Sequence, residues 1–232
     1  MRKFFLLSAV LLFFSCADND ANVTNVTAFT VFDFKTEDSK PEVRLSVFAE
    51  ALSPVERGQS ITIINNDTGL SWKSKNLRKV SESSKKKWTG FDSFVVPSNM
   101  VLPQGAYTFY YEDYAENTFE SSFRVSYNSA FLDYKASDFP EKLSVIKTEK
   151  YVLYNANGET VYYGDKKKNW SSLETASAEY TSAVTGRICW YLPSGGSIIM
   201  LPPVEFKRTV SQSKATASPV DEDYEDDDEF DD

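Results

Sequence analysis

Pro41-Glu42-Val43-Arg44-Leu45-Ser46-Val47-Phe48 alternates apolar and polar side chains with a period of two. Successive residues of a strand point to opposite faces, so Val43, Leu45 and Val47 share one face while Arg44 and Ser46 share the other. Working outward, turn signals recur at Glu56-Arg57-Gly58, at Asn65-Asn66-Asp67-Thr68-Gly69 and at Pro103-Gln104-Gly105. Between Thr27 and Tyr127 this pattern predicts about seven strands at a spacing of roughly 8–12 residues, which suits a two-sheet sandwich, with a small closed barrel as the alternative. No long stretch carries a 3.6-residue stripe, and only Ser172 to Ala183 has room for a short helix. The 13 Tyr and 17 Phe supply enough ring surface for substantial cores and fit a β-rich chain.

Comparison of the chain with itself suggests a tandem duplication. Phe32-Asp33-Phe34-Lys35 resembles Leu132-Asp133-Tyr134-Lys135, and Pro41 to Phe48 resembles Pro140-Glu141-Lys142-Leu143-Ser144-Val145-Ile146. Further on, Ile61-Thr62-Ile63-Ile64-Asn65 pairs with Tyr151-Val152-Leu153-Tyr154-Asn155, and Leu102-Pro103-Gln104-Gly105 with Leu192-Pro193-Ser194-Gly195. The other reading is two unrelated β segments that share strand and turn composition.

Leu102-Pro103-Gln104-Gly105-Ala106-Tyr107-Thr108-Phe109, followed by Tyr111-Glu112-Asp113, resembles the late strands of bacterial immunoglobulin-like domains. The resemblance implies a Pro/Gly turn feeding a tyrosine-bearing strand, then an acidic turn into a last strand from Phe119 to Tyr127. The second unit keeps Leu192 to Gly195 but has Ser197 where Tyr107 stands. The expected fold class is therefore all-β, with two tandem immunoglobulin-like sandwiches at 27–127 and 128–208.

The ends of the chain read differently. Met1-Arg2-Lys3 precedes an uncharged run from Phe4 to Ser15, the layout of a secretory signal peptide. A spanning helix needs roughly 20 apolar residues, and this run is shorter and is followed by Asp18-Asn19-Asp20. Leu12-Phe13-Phe14-Ser15-Cys16 resembles the lipobox of bacterial lipoproteins, with Phe13 where that family usually has Leu. The resemblance implies cleavage after residue 15, diacylation of the Cys16 thiol and acylation of the new amino terminus, with residues 16–26 as a tether. Ordinary cleavage, with Cys16 incidental, is the alternative. At the other end, residues 209–232 are rich in Ser, Thr and acid and are expected to be disordered. From Asp221 to Asp232 there are ten acidic residues and no basic one, so removing them takes the formal net charge from −9 to +1.

Few residues offer chemistry. The chain has no histidine, which excludes histidine-dependent triads and histidine-bearing zinc sites. Cys16 is assigned to the lipid, and Cys189, in the apolar run Ile188-Cys189-Trp190-Tyr191, is expected to be a buried thiol. Glu112, Asp113, Glu116 and Glu120 are the carboxylates for a glycan-acting enzyme, but strand alternation should scatter them. Asn65-Asn66-Asp67 and Asp18-Asn19-Asp20 lack a calcium-loop pattern and read as turn and tether. No metal or cofactor is expected.

Basic and aromatic residues also occur together. Trp72, Lys73, Lys75, Arg78, Lys79, Lys85, Lys86, Lys87 and Trp88 form one group, and Lys166, Lys167, Lys168 and Trp170 a second. Ammonium groups beside exposed rings would suit an anionic glycan, whereas the plainer reading is soluble loops whose tryptophans serve the core. An exported chain of net acidic balance argues against nucleic acid. The expectation is a non-catalytic, membrane-anchored lipoprotein of the cell envelope that binds or adheres. Its partners are the membrane and an anionic glycan or another envelope protein. A subunit of an envelope complex, its acidic tail on a basic partner, is the first alternative; a carboxylate-dependent glycan enzyme is the second.

Overall fold

The computed structural model describes residues 23–51, 57–81, 86–98, 100–143 and 147–207. The signal sequence, Cys16, Asp18-Asn19-Asp20, Lys85 and the acidic tail lie outside them. Eight strands come first: β1 (Val23–Asp33), β2 (Glu42–Ala51), β3 (Gly58–Asn65), β4 (Ser71–Ser74), β5 (Arg78–Ser81), β6 (Lys87–Val95), β7 (Gly105–Asp113) and β8 (Thr118–Val125). β1 begins four residues inside the expected tether, because Val23 already pairs with Ala51 of β2. In one sheet the order runs β1-β2-β6-β5, and in the other β4-β3-β7-β8.

The alternation in Val43 to Val47 sets the inner face. Leu45 and Val47 are fully buried, and with Phe32 and Phe94 they pack into one core with Ile61, Ile63, Tyr107, Phe109 and Tyr111 of the opposing sheet. This is a two-sheet sandwich of the expected class. Its third turn carries a specific lock: the Tyr107 hydroxyl donates to the Pro103 carbonyl oxygen at 2.6 Å, from a ring that is wholly buried. Gly105 lies between them at φ +120°, where a Cβ would stand 2.6 Å from Asp67 Oδ2, so the turn takes glycine on two counts.

The second half departs from expectation. β9 (Thr148–Asn155), β10 (Thr160–Asp165), α1 (Leu173–Glu179), β11 (Ala183–Leu192), β12 (Ser197–Met200) and β13 (Val204–Glu205) follow. They form no second sandwich among the described residues. β12 lies parallel to β1 from Thr30↔Ser197 to Asp33↔Met200, and the sheet continues as β10-β9-β11-β12-β1-β2-β6-β5, with β13 paired to β11. The physical reason is the outer edge of β1: its backbone groups from Thr30 to Asp33 need partners, and β12 supplies them. α1, capped by Ser172 and Thr175, covers the inner face of this extension over a smaller core of Tyr151, Leu153, Trp170, Leu173, Ala176 and Ala183. The helix falls within the stretch anticipated for one.

The first matched pair also differs in structure. Phe32 to Lys35 ends a strand, whereas Leu132 to Lys135 runs from the end of one 3₁₀ turn, Ser129–Leu132, to the start of the next, Ala136–Asp138. Instead of repeating one role, each member of this pair packs on residues that flank the other. Phe32 meets Phe131 edge-on at 5.4 Å and Phe34 meets Phe139 at 5.5 Å. Asp133 pairs with Lys40 at 2.7 Å and Lys135 with Asp38 at 3.2 Å. Phe139 then reaches Trp190 of β11 at 6.0 Å, so one aromatic seam crosses the expected boundary at residue 127. The later blocks correspond better: β3 and β9 are both strands ending in an Asn whose Oδ1 closes the following turn.

Candidate functional site

The residues singled out by sequence fall at two edges of the molecule. Six strand spacings of about 4.8 Å, roughly 29 Å in all, separate β6 from β10, so the two basic groups do not form one site. In the first group, Trp72 of β4 is half-buried, its Nε1 donates to the Val95 carbonyl at 2.6 Å, and its ring stacks at 6.5 Å on Tyr107. Trp88 of β6 is likewise half-buried, with its Nε1 enclosed and the Lys86 ammonium 5.9 Å from its ring. These tryptophans serve the sandwich more than its surface. Three cations of this group already face carboxylates: Lys73 meets Glu112 at 3.1 Å, Arg78 meets Asp92 at 3.0 Å and Lys86 meets Glu50 at 3.1 Å. Lys75, Lys79 and Lys87 lie on or beside β4, β5 and β6, and Lys85 falls outside the described residues.

The second group is more tightly organised. Lys166, Lys167 and Lys168 follow β10 and lead to Trp170, which is only 2% exposed. Around it stand Tyr162 of β10 at 4.9 Å, Tyr151 of β9 at 5.9 Å and Tyr180, just past α1, at 6.1 Å between ring centres. Lys167 Nζ caps this rosette at 4.8 Å from Trp170, 5.3 Å from Tyr180 and 5.8 Å from Tyr162. Glu179, at the end of α1, closes the site. It accepts from Lys167 Nζ at 2.5 Å, from Asn169 Nδ2 at 2.7 Å and from Trp170 Nε1 at 2.8 Å. The hydrogen bond from Lys167, then those from Trp170 and Asn169, hold the Glu179 carboxyl down at about 2, and Glu179 in turn raises the Lys167 ammonium above its ordinary value.

The carboxylates named for glycan chemistry are spread out, as strand geometry requires. Asp113 is fully buried at the β7–β8 turn, where it accepts the backbone N–H groups of Ala115 and Asn117 and pairs with Arg57 at 3.2 Å. Glu112 points the opposite way and is held by Ser60 at 2.8 Å and by Lys73. Glu120 is an exposed residue of β8, and Glu116 stands in the turn at φ +63°. The oxygens of Asn65 and Asn66 are likewise occupied, by Thr68 and Thr108. Among the described residues no three or more Cys, Asp or Glu side chains converge as a metal site.

Two features escaped the sequence. One is a buried charge cluster: Arg187 of β11 pairs with Asp33 of β1 at 2.6 Å and donates to the carbonyls of Phe34 and Leu201. Burial works against the Asp33 carboxylate, but the hydrogen bond and charge of Arg187, then those of Lys35, prevail and hold its pKa below the ordinary range. The other is a groove of about 830 Å³ between the β1–β2 and β6–β7 loops. Val95, Met100 and Val101 line it with 54%, 43% and 59% of their surface exposed, and the Lys40–Asp133 pair marks its rim. Nothing in the spacing of Asp33 and Arg187, or of Lys167 and Glu179, announces that they meet.

Compared with protein-family models, curated proteins and solved structures, the chain matches none. Among the described residues no helix is long and apolar enough to cross a membrane.

Proposed function

We propose that this chain is an envelope lipoprotein, anchored through acyl chains on Cys16, whose folded part is a non-catalytic binding or adhesion module. The observation that carries the reading is the succession of a basic start, a short apolar run and Ser15-Cys16, followed at once by polar residues. Two or three acyl chains, at about 0.8 kcal/mol per buried methylene, suffice for stable anchoring. Seven residue-to-residue steps lead from Cys16 to Val23, a reach of at most about 25 Å, so the end of the sandwich that holds Val23 and Ala51 faces the membrane.

The first eight strands are read as an immunoglobulin-like domain. Supporting this are the order β1-β2-β6-β5 opposite β4-β3-β7-β8, which is the distribution of strands in such sandwiches, and the tyrosine corner from Tyr107 to Pro103. The segment from β9 onward is an extension of the sheet rather than a second copy. The ten acids from Asp221 to Asp232 favour one further reading, membership of an envelope complex through a basic partner.

Fractionation tests the anchor. The native chain should partition with membranes and need detergent for release, and Cys16→Ala should move it to the soluble fraction. Protease treatment of intact cells separates the two readings: cleavage of the acidic tail from outside supports an adhesion module, and full protection supports a periplasmic complex.

A further inference from the structure

Lys167 fills an ammonium site that the protein builds from its own rings. Three aromatic side chains stand within 4.8–5.8 Å of its Nζ, and a carboxylate meets the charge. Rings and a carboxylate around one cation are the means by which proteins hold quaternary ammonium groups. Two observations set this arrangement apart from a structural ion pair. The first is access. The side chains of Lys167 and Glu179 keep 42% and 36% of their surface exposed, and Lys167 sits in the segment between β10 and α1 rather than on a strand. The second is the company it keeps. Lys166 and Lys168 flank it, and the Lys166 ammonium lies 6.0 Å from the Tyr151 ring at the side of the same rosette. Swinging Lys167 out would leave its own ammonium and that of Lys166 beside the vacated cation position, with Lys168 next in the chain.

The geometry points to a site for a phosphocholine-type zwitterion. Its quaternary ammonium takes the place of Lys167 Nζ over Trp170, Tyr162 and Tyr180 beside Glu179. Its phosphate pairs with Lys166, Lys168 and the displaced Lys167. The exchange leaves no charge unpaired, because the lysine trades a carboxylate for a phosphate. Choline alone offers the displaced lysine nothing, and phosphate alone offers the rings nothing. The inference deepens the binding reading by naming a ligand class, and it concerns the rosette alone, so it stands or falls independently of Cys16.

The indole N–H of Trp170, which donates to Glu179, reports on the site. In the ¹⁵N-labelled whole chain, phosphocholine should shift this resonance at concentrations several-fold below those needed with choline, and inorganic phosphate should leave it in place. In Lys167→Ser the internal competitor is gone. If Lys167 fills the site nine-tenths of the time or more, choline should then bind at least about tenfold more tightly than to the native chain. Phosphatidylcholine vesicles that compete with free phosphocholine identify a lipid headgroup as the source; vesicles that do not compete point to a soluble or glycan-linked one. If neither phosphocholine nor choline moves the signal of the native chain at up to about 100 mM, weaker than any millimolar site, the proposal is overturned. The rosette is then an internal clamp. The native-chain titration alone decides this, whatever the folding of the variant.

Discussion

Arg187 Nη2 donates to Asp33 Oδ1 at 2.6 Å and so joins β11 to β1 across 154 residues of sequence. Both side chains are about nine-tenths buried, and the guanidinium also donates to the Phe34 and Leu201 carbonyls. Removing Arg187 leaves the buried Asp33 carboxylate only the half-exposed Lys35 at 3.1 Å and Arg44 at 3.9 Å, so the cost should lie near the lower end of that for a broken buried pair, about 3 kcal/mol. Arg187→Met should therefore destabilise the whole chain by that amount in urea unfolding. A double Asp33→Asn, Arg187→Met variant should cost less than the two single changes together. Lys35→Ala, at a side chain that is 52% exposed, should cost under about 1 kcal/mol.

Tyr107→Phe removes the bond to Pro103 while keeping the ring, and leaves the Pro103 carbonyl without that partner in a half-buried turn. A loss of about 1–3 kcal/mol is expected. Tyr110, one of the exposed large side chains on the other face of the same strand, is the control: Tyr110→Phe should change the denaturation midpoint little. Equal losses at both positions would remove the special role of the corner.

The Glu179 carboxyl titrates at about 2 in the folded chain against an ordinary 4.5. A depressed carboxyl adds stability that is complete above the unfolded pKa and is lost as pH falls toward the folded one. The native chain should thus lose stability more steeply than Glu179→Gln between about pH 4.5 and pH 2, and the two should converge below that window. Melting temperatures measured across this range at fixed salt give the comparison.

Cys189 is 4% exposed, and burial pushes its thiol up to about 11. Reaction requires the thiolate, so an uncharged thiol reagent at pH 8 should label the folded chain slowly and the urea-unfolded chain fast. Labelling at equal rates would mean that the outer face of the sheet around Cys189 opens readily.

Local pattern carried much of the architecture. The alternation in Val43 to Val47 assigned the inner face, and the Leu102 to Tyr107 stretch marked a turn whose hydroxyl lock then appeared. What could not be read is long-range. The likeness of Phe32 to Lys35 and Leu132 to Lys135 is a likeness of composition, aromatic next to charge, and such segments suit packing on residues that flank each other as well as repeating a role. Parallel pairing of β12 with β1 has no local signature, since any strand edge with free backbone groups can take it. The tryptophan-and-lysine groups were visible as residues, but Trp170 is nearly buried, and the carboxylate that organises Lys167 lies twelve positions away on the far end of α1.

The most direct test of the lipid anchor is the intact mass of the membrane-extracted protein, measured beside a Cys16→Ala control. The expected mass is that of residues 16–232 plus two or three acyl chains, with the added mass absent from the control. An unacylated chain recovered from the soluble fraction would contradict it, and the sandwich with its sheet extension would then be a freely diffusing secreted protein.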